Sequence, residues 1–275
     1  MSDANPDPAT EPNLSAYFGA RTIRADATTL STRLEVRDEL LDDGGALRIG
    51  AVTFAADVAT GIAAGVAVLD RDMWVVTTAL DVHVTGPVTV GPLRVDVDLL
   101  RAGATTAVTA FSLHDEGAGR AVGGGTATGR PFAFDFDRRF LEIPIGEEFR
   151  GPVGDATVGS EPIAATLGFR VGEDGSAEVD LAAWLLNPWG ILHGGVTACL
   201  IDISGEVAGS AALGHGTRVT GQMVRYLAPA KVGPVRAVPR VLAVDDGRAL
   251  VEVRVVDEGA DARVAAVGSV TTAAI

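Results

Sequence analysis

The sequence contains few cysteine, lysine and aromatic residues, and these shortages narrow what it can be. Cys199 is the only cysteine among 275 residues, so neither an intrachain disulfide nor a cysteine-based zinc site can form. Aromatic residues account for 5% of the chain and apolar residues for 47%, which predicts a core built mainly from Val, Leu, Ile and Ala. No run of about 18 uninterrupted apolar residues occurs, so we expect no membrane-spanning helix.

Positive charge is also scarce. The chain has 22 Lys and Arg against 36 Asp and Glu, a net charge of −14, and Lys231 is its only lysine. We expect no binding to nucleic acid or to an anionic membrane, although a few local arginines can still hold a small anion. Residues 1–13 are acidic, proline-rich and polar, unlike a secretory signal, so we expect a disordered tail on a soluble cytoplasmic protein.

One segment of the chain occurs twice. Residues 192–202 read LHGGVTACLID, and residues 47–57, which lie 145 positions earlier, read LRIGAVTFAAD. Further identities follow at an offset of 142 and pair Gly233-Pro234 with Gly91-Pro92, Asp257 with Asp115, and Thr220 with Thr78. Identities in order at a nearly constant offset predict a tandem duplication, with units at 14–135 and 161–275 and a connection at 136–160.

Each unit is predicted to contain one long helix followed by four antiparallel strands. In the second unit the helix runs from Gly195 to Leu213, after a strand-like run at 178–186. The apolar residues of this helix form one stripe, made of Val196, Leu200, Ile203 and Val207. The opposite face has small residues and one carboxylate, namely Ala198, Asp202, Gly205 and Gly209. We expect that face to pack against the other unit. The Val- and Thr-rich strands are predicted at 74–85, 93–101, 104–114 and 120–129, and at 218–227, 235–244, 249–256 and 263–272. One helix on one antiparallel sheet per unit is an α+β fold.

A group of polar and glycine residues surrounds the start of the second helix. Asn187 precedes His193-Gly194-Gly195 by a short loop, and Asp202 follows His193 by nine positions. Downstream, Thr220 precedes a strand end that reads YLAPAKVG from Tyr226. This pattern resembles the signature of hotdog-fold acyl-CoA thioesterases of the PaaI-like branch. The resemblance implies two fused hotdog units, each a long central helix wrapped by a curved antiparallel sheet, and hydrolysis of a fatty or aromatic acyl thioester.

The chemistry of these residue types suits that reaction. The first backbone N–H groups of a helix have no intrahelical acceptor and lie at the positive end of the helix dipole. Gly194 and Gly195 therefore let a thioester carbonyl approach donors that suit a developing oxyanion. A carboxylate such as Asp202 can act as general base or nucleophile. Asn187 can hold the carbonyl or the water, and Thr220 can orient the water or the carboxylate.

Structural roles account for several of the same residues. Paired glycines also serve close packing of a loop, and Thr220 can be an ordinary strand residue. We expect His193 to bond to the backbone at the helix start rather than to bind a metal. The other three histidines have no ligand spacing between them, so we expect neither a metal site nor a cofactor; they are His83, His114 and His215.

The first unit has lost most of the loop motif. Arg48-Ile49-Gly50 replaces His-Gly-Gly and Asp42 replaces the Asn, whereas Asp57 and Thr78 remain. The resemblance implies that the loop of one unit faces the Asp and the Thr or Ser of the other. The predicted competent site therefore combines Asn187, His193, Gly194 and Gly195 with Asp57 and Thr78 (or Thr77). The second site combines Asp202 and Thr220 with the altered loop at 48–50.

The expected partner is an acyl-CoA substrate. Between residues 218 and 254 there are seven basic residues against three acidic ones, and Arg225 and Lys231 are candidates for the CoA phosphates. A solvated sheet face explains the same residues. The chain is expected to be a pseudo-dimer, with a further homodimer left open. Two rival functions remain: a non-catalytic acyl-CoA-binding or sensing protein, and a hotdog hydratase or dehydratase.

Overall fold

A computed structural model describes residues 14–24, 26, 29–133, 146, 148–149 and 161–275. The predicted tail at 1–13 and most of the predicted connection at 136–160 lie outside these residues. The elements up to residue 149 are α1 (Leu14–Phe18), β1 (Arg21–Arg24), β2 (Thr29–Leu34), α2 (Ile49–Val66), β3 (Met73–Val84), β4 (Leu93–Ala102), β5 (Ala107–Asp115), β6 (Arg120–Ala133) and β7 (Glu148–Phe149).

The elements from residue 161 onwards follow the same order. They are α3 (Ile163–Thr166), β8 (Arg170–Val171), β9 (Ala177–Val179), α4 (Gly194–Leu213), β10 (Thr217–Tyr226), β11 (Val235–Asp245), β12 (Arg248–Asp257) and β13 (Arg263–Ala274). The helix and the four long strands of each unit lie where the sequence predicts them, within a few residues. The run at 178–186 is an exception, because its strand ends at Val179 and a 3-10 turn follows at Ala183–Leu185.

Within the described residues, the strands join one antiparallel sheet of 13 strands in the order β7-β1-β2-β4-β5-β6-β3-β10-β13-β12-β11-β9-β8. The pairing of β3 with β10 joins the two units, from Gly221 opposite His83 to Arg225 opposite Ala79. Helix α2 packs across the strands β2 to β6, α4 packs across β9 to β13, and the two helices contact each other. This is the predicted α+β arrangement of two units.

The helix faces differ from the sequence prediction. A side chain at Gly205 would meet Val270, and one at Gly209 would lie 2.6 Å from Thr272, so both glycines accommodate β13 of their own unit. The predicted packing of this small face against the other unit is therefore wrong for both glycines. Close contacts between units occur at other glycines, such as Gly50, where a Cβ would lie 2.9 Å from the Cα of Cys199.

Both long helices are buried on nearly every side. By length and composition alone they are apolar enough to cross a membrane, although polar residues such as Asp57 and Asp202 interrupt both apolar runs. Within the protein, 72% of the apolar window of each helix is buried. A helix that is apolar all round and enclosed by sheet is a core helix, which explains the weak contrast between its faces.

A buried carboxylate closes the same turn in each unit. Asp115 accepts backbone N–H bonds from Thr89, Val90 and Gly91, and Asp257 does the same for the turn that ends at Gly233. Burial alone would raise the pKa of Asp257, but these donors hold it below its ordinary value. The repeated Gly-Pro and Asp identities therefore mark a shared structural turn.

Candidate active site

The loops before the two long helices have the same conformation although only one keeps the motif. The Asn187 side-chain oxygen accepts N–H bonds from the residues two and four positions on, at 3.0 and 3.2 Å. Asp42 accepts the equivalent bonds at 2.9 and 3.0 Å. Asn and Asp both stabilise such turns by bonding to nearby backbone. The Asn187 oxygen is thus occupied by the loop, which leaves only its NH₂ group for a substrate.

His193 caps the amino terminus of α4. Its Nδ1 atom accepts a bond from the Gly195 N–H at 3.0 Å, which assigns the ring proton to Nε2. Burial lowers the pKa of His193, an effect that nearby Asp57 opposes. The neutral imidazole therefore fixes the helix start, as expected from the sequence, and it engages the N–H group of Gly195.

Asp57 of the first unit faces this helix start. Its Oδ2 atom lies 3.9 Å from His193 Nδ1, and its Oδ1 atom accepts a bond from the Thr77 hydroxyl at 2.8 Å. A Cβ on Gly194 would lie 2.7 Å from Asp57 Oδ2. We refer to Asp57, Thr77, His193, Gly194 and Tyr226 as the Asp57 site. Only glycine at position 194 leaves room for the carboxylate at this helix start.

The two glycines have different surroundings. Gly194 is the first residue of α4, so its N–H group has no intrahelical acceptor. Its carbonyl accepts a bond from the Tyr226 hydroxyl at 2.9 Å. Burial, with Asp57 nearby, holds the pKa of Tyr226 well above its ordinary value. A side chain at Gly195 would meet the Phe54 ring. Gly194 is therefore the better oxyanion donor, and Gly195 serves packing and the cap.

The pseudo-equivalent site has a different chemistry. Here Arg48 forms ion pairs with Glu206 and with Asp202, the latter at 3.9 Å. Ile49 stands where the other site has Gly194, and Val219 stands where it has Thr77. We refer to these five residues as the Asp202 site.

The carboxylate of Asp202 is buried with few partners to stabilise its charge. Its side chain is 3% exposed, and its Oδ2 atom has no hydrogen-bond partner in the described part of the chain. Burial raises the pKa of Asp202 to about 7, although Arg48 opposes the rise. Glu206 has its pKa raised by burial as well. The cluster is a buried ion-pair network without a free helix start.

The predicted threonines lie beside the site rather than in it. Thr78 and Thr220 sit at β-bulges, and their hydroxyls donate to the carbonyls of Thr128 at 3.0 Å and Thr271 at 3.3 Å. Of the two candidates in the first unit, Thr77 is the one that contacts Asp57. The identity between Thr78 and Thr220 is explained by the bulge that both units contain.

The candidate CoA-binding residues are separated from the helix start. Arg225 forms a two-pronged ion pair with Asp81 of the first unit, at 2.8 and 3.3 Å. As the neighbour of Tyr226 in a strand, it points to the opposite face of the sheet. Lys231 is exposed in the turn closed by Asp257. Among the described residues no group of three or more His, Cys, Asp or Glu side chains is placed to hold a metal ion.

Sequence reasoning missed three contributors. Tyr226 lies in the YLAPAKVG strand end, but that pattern assigns it no role, and no motif in the sequence includes Phe54 or Glu206. The repeat offers one signal for Tyr226: the equivalent residue of the first unit, whose loop motif is altered, is Val84.

One segment of the chain matches a known protein family. A family model described as the thioesterase superfamily matches residues 190–262, which contain the His-Gly-Gly loop and α4. No curated protein matches the chain.

Several solved structures share the fold along most of their length. The 12:0-ACP thioesterase of Umbellularia californica is 12% identical, with 89% of this chain and 93% of that one covered and a TM-score of 0.59. A tesB protein of Mycobacterium avium subsp. paratuberculosis is 11% identical, with 92% and 95% covered and a TM-score of 0.60. An acyl-ACP thioesterase of Bacteroides thetaiotaomicron is 12% identical, with 89% and 97% covered and a TM-score of 0.54. At these identities the likeness concerns the fold, and it confirms the predicted pair of hotdog units.

Proposed function

We propose that this chain of two hotdog units belongs to the thioesterase superfamily and hydrolyses an acyl thioester at the Asp57 site. The observation that carries this proposal is the position of the Asp57 carboxylate in front of Gly194, with the two residues contributed by different units. A catalytic carboxylate and an uncommitted helix-terminal N–H at one point suit attack on a carbonyl carbon.

In the proposed reaction the thioester carbonyl oxygen accepts a bond from the Gly194 N–H. Asp57 then acts either as the base that takes a proton from water or as the nucleophile that forms a mixed anhydride. In either case the oxyanion collapses, the carbon–sulfur bond breaks, and the thiolate leaves and takes up a proton. In the nucleophilic route, water then attacks the anhydride, and cleavage of its bond to Asp57 releases the acid and restores the carboxylate. Water supplies the hydroxyl of the acid product. The Thr77 hydroxyl holds the carboxylate, and Tyr226 holds the Gly194 peptide.

The proposed substrate is a fatty or aromatic acyl-CoA. The apolar walls around the helix start, including the buried Phe54, favour such an acyl group. Arg225 is committed to Asp81, so Lys231 is the remaining candidate for the CoA phosphates. Because two of the structurally similar proteins are named as ACP thioesterases, acyl-carrier-protein substrates belong in the same assay.

The test is thiol release from a panel of acyl-CoA and acyl-carrier-protein substrates. We expect Asp57→Asn to lower turnover by about 100-fold or more, since this is the usual contribution of a positioned base. Asp202→Asn is the matched control, because Asp202 occupies the equivalent position in the other unit, and it should keep turnover close to that of the unmodified protein.

Circular dichroism and a melting curve establish that both variants are folded. Loss of turnover in Asp202→Asn, with Asp57→Asn unaffected, would show that the wrong carboxylate has been assigned. Tight binding of acyl-CoA without thiol release from any substrate would instead favour the non-catalytic binding protein.

A further inference from the structure

A cleft of about 440 Å³ borders the Asp202 site and shares Ile49 and Val219 with it. It lies between the first-unit loop, the turn after β3, and the start of β10 in the second unit. Its volume falls within the range of about 300–1,000 Å³ that is typical of small-molecule sites. Neither Asp202 nor Arg48 lines it, so the cleft is separate from the buried ion-pair network.

The cleft follows from the difference between the two units. In the second unit, Tyr226 fills the corresponding region, and its ring reaches Gly194 through the hydroxyl. Val84 is the pseudo-equivalent residue in the first unit, and its side chain lines the cleft. A valine is several atoms shorter than a tyrosine, so the space beside the first-unit helix start remains open.

The walls combine an aliphatic floor with a cationic rim. Ile49, Val52 and Val88 are buried and form part of the floor. Arg218 and Arg248 stand at the rim, and both line the cleft. Arg218 is partly neutralised by Asp42, with Nε 3.3 Å from the carboxylate. Arg248 is exposed, and no carboxylate lies within ion-pair distance of it among the described residues.

We propose that this cleft binds an anionic amphiphile, with an aliphatic chain on the floor and a carboxylate at Arg248 and Arg218. A chain with a net charge of −14 repels anions in general, so a cationic rim beside an aliphatic floor selects for a ligand that has both features. A fatty carboxylate is the acid that the proposed reaction releases, and this choice of ligand rests on the proposed function. The cleft is then a second, non-catalytic site for the product class.

The test measures dodecanoate binding to the full chain by calorimetry. The assay uses the Gly194→Ala background, in which the new methyl group crowds the Asp57 site. We expect one dodecanoate to bind in this background. Adding Val84→Tyr, which restores the residue of the other unit, or Arg248→Ala should each weaken binding at least tenfold. Arg254→Ala is the matched control, because this exposed arginine on the same strand pairs with Glu252 and lies outside the cleft.

Further ligands separate the two requirements. Butyrate, which lacks the long chain, and dodecanol, which lacks the charge, should both bind at least tenfold more weakly than dodecanoate. Coenzyme A without an acyl group distinguishes a phosphate ligand from a carboxylate. If coenzyme A binds more tightly than dodecanoate, and Arg248→Ala abolishes that binding, the assignment to a fatty acid is overturned.

Dodecanoate binding that is unchanged by both Val84→Tyr and Arg248→Ala would also overturn the proposal. If the Val84→Tyr variant fails to fold, Arg248→Ala still tests the proposal, because it alters only an exposed side chain. Thiol release is measured separately on the chain with native Gly194. Binding at the cleft without thiol release would refute the proposed function alone, and thiol release without cleft binding would refute this inference alone.

Discussion

The substitution Asp202→Asn should stabilise the protein, and increasingly so as the pH rises. Asp202 is buried without a full set of partners, and its pKa in the folded protein is about 7, against an ordinary value near 3.8. Between these two values the unfolded chain carries the charge and the folded chain does not. Unfolding therefore releases a proton, and the stability of the protein falls as the pH rises through this window.

The magnitude follows from the two pKa values. One pKa unit corresponds to about 1.4 kcal/mol, so a difference of about three gives a destabilisation of about 4 kcal/mol above pH 8. Asn has nearly the same shape as a protonated Asp and carries no charge at any pH. The variant should therefore match the unmodified protein below pH about 3.5. Its stability should exceed that of the unmodified protein by about 1.5 kcal/mol at pH 5 and by about 4 kcal/mol at pH 8.

Urea unfolding at several pH values between 5 and 8 measures this difference. Subtracting the two free energies of unfolding at each pH removes the contributions of charges that do not interact with Asp202, such as His193. Glu206 shares Arg48 with Asp202, so the difference reports the two carboxylates together. Asp98→Asn is the control, because it removes an exposed carboxylate on β4, and its difference from the unmodified protein should be nearly independent of pH. A difference that does not change with pH for Asp202→Asn, or one that favours Asp at pH 8, would refute the reasoning.

Two further substitutions test other parts of the structure. Asp257→Asn removes the charge that accepts three backbone N–H bonds, and should cost about 2 kcal/mol or more at pH 7 in urea unfolding. Because the folded pKa of Asp257 lies below its ordinary value, this cost should shrink below pH about 4, and a cost that grew there would contradict the role. Thr77→Val copies the residue of the Asp202 site and should lower turnover about tenfold or more by freeing the Asp57 carboxylate, whereas Thr78→Val should leave turnover nearly unchanged.

Much of the fold can be predicted from the sequence because the chain contains an internal repeat. A helix or strand predicted in one unit predicts its counterpart 145 or 142 positions away in the other unit. Both long helices and all eight long strands lie where this reasoning places them, because side chains with the same burial recur in the same order. The small face of α4 was misjudged because a helix enclosed on all sides has no single face to assign. Gly205 and Gly209 indicate a close neighbour, but the sequence does not say whether that neighbour is a strand of the same unit.

The candidate site shows where identity between repeats misleads. Thr78 and Thr220 are identical and both stand at a β-bulge, whereas Thr77 and Val219 differ, so the repeat favours Thr78 over Thr77 as the site residue. A bulge shifts the alternation of side chains by one position, and this shift brings Thr77 rather than Thr78 to Asp57. The pairing of Asp57 with Gly194 was predicted through the family resemblance. The equivalent position in the other unit has an ion-pair network around Asp202 instead. That network depends on how far the Arg48 side chain reaches, which only the folded structure shows.

The seam between β3 and β10 also bears on how the protein folds. It joins strands about 140 residues apart in the chain, and Gln222 bridges the seam by accepting a bond from Thr53 at 2.7 Å and donating to the Ala198 carbonyl at 2.7 Å. We expect contacts so distant along the chain to form late, after local helices and hairpins. Because Asp57 and Gly194 meet only once this seam has closed, neither unit can assemble the site before the two have docked. During refolding, recovery of activity therefore reports the docking step, separately from the earlier appearance of helix and sheet.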